Sequence, residues 1–178
     1  MDKEFKALES LGAGDSKHLN GSLEAHLKGT ESILAHWGAN GMLRTAGLFH
    51  AAYGTAGFED SMVSLSQREE ISAVIGHDAE ALVYLYCSCD RDYVFPQFGK
   101  SATIEFTDRF TQSSFILSAE LANLFCELTV ANELELVYAC DEFKSKYGLE
   151  LLALFEGMDR YLSFEARNAY KSALVEFT

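Results

Sequence analysis

Proline is almost absent from this chain: Pro96 stands alone among 178 residues. No low-complexity run is present, and 48% hydrophobic with 23% charged residues is the composition of a folded globular chain, which excludes intrinsic disorder. Basic residues are scarce, 14 Lys and Arg against 27 Asp and Glu, for a formal net charge of −13. Such a surface repels phosphate backbones and anionic membranes. It excludes a general nucleic-acid binder but leaves room for a small anionic ligand at a locally positive site. No stretch approaches 18 uninterrupted apolar residues, and the segment Met1 to Ser10 is charged. Neither a signal peptide nor a membrane span is expected, and the cytoplasm is the default location. Only four cysteines occur. Cys87 and Cys89 form a C-x-C pair with no second pair after it, so a zinc knuckle is not expected and the thiols read as reduced and structural.

What the chain does have is large apolar side chains, including 13 Phe and 8 Tyr. Its length predicts one domain, residues 1–178, able to bury a core without disulfides. The periodicity predicts an all-α helical bundle with a small β-hairpin or loop excursion around 94–117. Phe5, Leu8 and Leu11 mark a short first helix, and Ala13 to Gly21 reads as loop. Ser22 is placed to cap a helix bearing Leu23, His26, Leu27, Thr30, Ile33, Leu34 and Trp37 on one face. Gly38-Ala-Asn-Gly41 ends it, and a strongly apolar helix follows from Met42 to about Tyr53. Ser66 with Glu69 predicts the next helix start, Gly76 a break, and Ala79 to Cys89 a buried helix. Ser101-Ala-Thr-Ile-Glu-Phe106 alternates with period two, as a strand does. Ser118 is expected to cap a long helix through about Ala139. Leu149 to Met158 and Phe164 to Val175 close the chain.

Histidine carries the chemical signal. His26 and His50 lie on the apolar faces of consecutive helices joined by a short turn, which predicts antiparallel packing with the two imidazoles together. Facing imidazoles begin a transition-metal site, or each is a core histidine hydrogen-bonded to Thr30, Tyr53 or a backbone carbonyl, and the pattern leaves both readings open. His18, eight residues before His26, is a candidate third ligand for zinc, iron or manganese. Thr30 and Tyr53 are expected to line the same pocket. Arg91 is a candidate clamp for a phosphate or carboxylate, or else a partner of Asp90 or Asp92. His36 and His77 read as surface residues.

The run His26-Leu-Lys-Gly-Thr30, then Trp37-Gly38, then Leu43-Arg-Thr-Ala-Gly-Leu-Phe-His50 resembles the opening of the HD superfamily of helical hydrolases. Within it the guanosine-tetraphosphate hydrolases of the stringent response are similar here, and again at Gly76-His-Asp-Ala-Glu-Ala-Leu-Val83. The resemblance covers roughly residues 22–90. It implies an HD-like bundle in which His26 and His50 match two metal ligands. The chain departs where the family carries acids: Ala51 replaces the aspartate of the His-Asp pair, and Gly54-Thr55 stands where those hydrolases have an acidic pair. Glu127 is the nearest acid to the last ligand position. An uncharacterised group of bacterial and fungal proteins with H-L-x-G-T, W-G and G-L-F-H-x-x-Y-G-T elements resembles the chain more closely. Two functions follow as expectations. One is a small-molecule-binding or regulatory module on a degenerate HD-like scaffold. The other is a metal-dependent hydrolase or oxygenase acting on a small phosphorylated or carboxylated substrate.

Overall fold

The structure is a computed structural model that describes residues 2–12, the backbone of 17, 18 and 21, and residues 22–178. It is predominantly α, with nine α-helices and two small two-stranded sheets among the described residues. None of these helices is long and apolar enough to cross a membrane. The chain divides into two compact units, Met1–Ser88 and Cys89–Thr178.

In the first unit α1 (Asp2–Ser10) precedes a two-residue ladder of β1 (Lys17–His18) and β2 (Gly21–Ser22). This pairing lies in a stretch read as loop, outside the expected 94–117. Two residues per strand leave no alternation for a sequence pattern to show. Ser22 caps α2 (Leu23–His36) by accepting from the Ala25 amide, and Asn40 caps α3 (Gly41–Phe49) through the Leu43 amide. The expected helix through Tyr53 therefore stops four residues early. His50 is its cap residue, and residues 51–53 form turns that Gly54 closes at φ 75°. The apolar run extends past the end of the helix because Ala51, Ala52 and Tyr53 are buried in those turns.

Ser64, not Ser66, provides the next start. It forms a capping box with Gln67 around a 3₁₀ turn (Leu65–Gln67) that runs into α4 (Arg68–Ile75). Gly76 breaks the chain before α5 (His77–Ser88). α3 lies at the centre of this unit, packed against α1, α2 and α5. Gly47 makes the α2–α3 contact close: a Cβ there would stand 2.6 Å from Leu34 Cδ1.

The second unit opens with α6 (Arg91–Val94) and the hairpin of β3 (Glu105–Thr107) and β4 (Ser114–Ile116), paired in register Phe106 to Phe115. The hairpin falls inside the expected 94–117. Ser118 caps α7 (Ala119–Ala139), whose span matches the sequence reading. Its burial does not: residues 125–134 are buried all round, where one apolar face was expected. Phe125 lies within ring-contact distance of Phe95, Phe98 and Phe106. α8 (Asp141–Met158) starts eight residues before Leu149, and α9 (Phe164–Ala173) closes the unit.

Candidate functional site

The antiparallel α2–α3 pair brings His26, in the first turns of α2, opposite His50 at the end of α3. The two Nε2 atoms lie 3.3 Å apart, with the rings at 80° and centroids 5.1 Å apart. Both residues are buried, at 5% and 2% exposure. His50 Nδ1 stands 2.7 Å from the Gly47 carbonyl, which can only accept, so Nδ1 carries a proton and Nε2 of the neutral ring keeps a lone pair. With His50 in that state, His26 donates its Nε2–H to the lone pair. The Tyr86 ring packs edge-on against His50, and the Cys87 thiol donates to the His50 carbonyl at 3.1 Å.

The hydroxyls expected beside the pair have other partners. Thr30 Oγ1 donates to the His26 carbonyl one turn back, at 3.0 Å. Tyr53 donates to Glu80 Oε1 at 2.7 Å. Burial and that bond hold its phenol well above the usual range, so it stays a donor. Glu80 also receives Arg68 bidentately, at 2.7 and 2.9 Å, and the Arg68 guanidinium lies 3.7 Å above the Tyr84 ring. Glu31 accepts from Arg44 through Oε1 alone, at 2.8 Å from Nε and 2.6 Å from Nη2. The sequence reading missed both buried ion pairs. Their members are 12 and 13 residues apart on different helices, where no local spacing rule applies.

His18 lies in β1, beside α2, and its side chain falls outside the described residues. Arg91 belongs to the second unit, where its guanidinium stands 3.6 Å from Glu133. Glu127 accepts from the backbone and hydroxyl of Ser163 at 3.0 and 2.5 Å, so it serves the start of α9. His36 and His77 are exposed. All four cysteines are free thiols and buried, and burial pushes Cys89 up to about 12.

Two nitrogens bound to one tetrahedral ion at about 2.0–2.1 Å stand about 3.3 Å apart, which the His26–His50 separation equals. A carbonyl fixing the far nitrogen of His50 is also how proteins orient a ligating imidazole. Yet among the described residues no group of three or more His, Cys, Asp or Glu is placed to hold an ion. Two imidazoles alone do not fit the four-ligand centre of an HD hydrolase.

The profile of a family described as a domain of unknown function (DUF6817) matches residues 7–91, nearly the whole first unit. No curated protein and no solved structure matches the chain.

Proposed function

We propose that the first unit is a small-molecule-binding or regulatory module on an HD-like helical scaffold, with the His26–His50 pair as its ligand contact. The observation that carries this reading is the 3.3 Å approach of two buried imidazole nitrogens. A core could fill the same volume with apolar side chains and avoid desolvating two imidazoles. Their retention at one contact favours a ligand that uses them. The partner is a small molecule rather than nucleic acid, and the protein works in the cytoplasm. Binding is favoured over phosphohydrolysis because Ala51, Gly54 and Thr55 supply neither a metal carboxylate nor a base. The buried carboxylates of this unit, Glu31 and Glu80, are both engaged by arginines. Manganese-dependent turnover of guanosine tetraphosphate is expected to be absent.

A second reading is favoured by the match between the imidazole separation and tetrahedral metal geometry. In it His26, His50 and His18 hold zinc, iron or manganese for a hydrolase or oxygenase, and the ion supplies an activated water. Metal analysis of untagged protein, with His26→Ala and His50→Ala beside it, separates the two. The binding-module reading expects no stoichiometric metal, together with thermal stabilisation by members of a metabolite panel that both variants lose. One ion per chain, lost in His50→Ala with helicity intact, carries the second reading. Neither metal nor stabilising compound leaves the histidines structural and removes both.

A further inference from the structure

At the other end of α3 from His50 lies a groove of about 370 Å³. Gly41, Met42 and Thr45 of α3 form one wall, and the turn 75–79 between α4 and α5 forms the other. Thr45, the groove residue nearest to His50 along α3, is separated from it by about 7.5 Å of helix. Two helix N-termini open into this groove. α5 follows Gly76, which has no side chain to cap the amides of His77, Asp78 and Ala79. Gly76 holds φ 90°, which favours glycine, and a Cβ there or on Gly41 would meet open space. On α3 the Asn40 side chain takes the Leu43 amide at 2.9 Å, leaving those of Gly41 and Met42.

Thr45 supplies an independent observation. It is 8% exposed, lines the groove, and makes no side-chain hydrogen bond among the described residues. Its hydroxyl keeps some solvent access, and the residue lines the groove. A hydroxyl with solvent access and no protein partner is free to donate to a ligand atom.

We propose that this groove binds the carboxylate of a small organic acid. First-turn amides and the partial positive charge of two helix ends receive the anionic oxygens. Thr45 Oγ1 donates to one of them. Met42, Ile75 and Ala79 offer apolar surface to the body of the acid. Asp78, whose side chain is 89% exposed at the first turn of α5, opposes a second charge. That selects a monoanionic carboxylate over a dianionic phosphate. His77 Nδ1, 3.4 Å from the Asp78 carboxylate, sits at the rim.

The test is amide NMR on the full chain, titrated separately with sodium benzoate, inorganic phosphate and sodium chloride. Saturable benzoate shifts at Gly41, Met42, His77, Asp78 and Ala79 are expected, with phosphate binding more weakly and chloride giving none. Thr45→Val keeps the side-chain shape and should weaken benzoate about tenfold to a hundredfold, the worth of one hydrogen bond to a charged acceptor. Asp78→Asn should tighten both anions and narrow their difference. No saturable shift at these amides, unchanged affinity in Thr45→Val, or phosphate binding as tightly as benzoate overturns the proposal. Should Thr45→Val unfold, the wild-type titration and Asp78→Asn still decide it.

Discussion

Gly47 sets how closely α2 and α3 approach. Leu34 Cδ1 occupies the space where a Cβ would stand, at 2.6 Å, and the Thr30 methyl group and the Glu31 backbone lie 3.7 Å away. Gly47→Ala must displace Leu34, which is fully buried. The expected cost is about 1–3 kcal/mol, as for other overpacked cores, measured by urea unfolding. The His26–His50 contact should loosen with it, and an unchanged unfolding midpoint would show that Leu34 repacks freely. Asp159 offers a pH test. Its carboxyl is held below the usual range by the Tyr170 hydrogen bond, with Lys171 and Arg167 adding attraction. A depressed folded value stabilises the protein above the unfolded value and is lost as pH falls through the folded one. The stability gap between wild type and Asp159→Asn should therefore be constant at neutral pH and close below about pH 4. A gap that persists there would mean that the charge of Asp159 does not contribute.

Among the elements, α9 depends on α7 for its start. Ser163 Oγ accepts from the Ala166 amide at 3.1 Å and donates to Glu127 of α7, and the Ser163 amide donates to the same carboxylate. One serine thus caps a helix and ties it to its neighbour. Ser163→Ala should lose about 1–2 kcal/mol of stability, the usual value of a cap, readable in the unfolding midpoint. Loss of only a few tenths would mean that the Ser163 amide alone satisfies Glu127. Helix starts of this kind were legible at Ser22 and Ser118, where a capping residue directly precedes a periodic apolar run. Ser66 misled because Ser64 stands two residues earlier and Gln67 completes its box. Both serines fit a capping pattern, and the short 3₁₀ turn that chooses between them has no hydrophobic period.

For the whole molecule, the division at Ser88 and the family match over residues 7–91 fall at nearly the same place. The first unit carries its own core, including Leu8, Leu27, Leu48, Phe49 and Val83, each essentially inaccessible to solvent. A fragment of residues 1–91 is expected to fold alone, because a unit with its own core has the anatomy of a domain. Helical circular dichroism with a single cooperative urea transition is the expected outcome. A fragment without a cooperative transition would show that the two units fold only as one.

The sequence by itself determined that the chain is predominantly α, that a small hairpin interrupts it within 94–117, and that His26 and His50 share the α2–α3 contact. These follow from periodicity and from a short turn, which are local properties of the chain. Tertiary structure decided which polar groups pair. Tyr53 turns to Glu80 rather than toward the histidines, Arg91 lies beside Glu133, and residues 125–134 of α7 are enclosed on all sides. Each of these depends on what a distant segment places opposite, and that partner leaves no trace in the spacing of neighbouring residues. The Thr45 groove belongs to the same class: two helix ends separated by more than thirty residues meet only because α3 packs on α5.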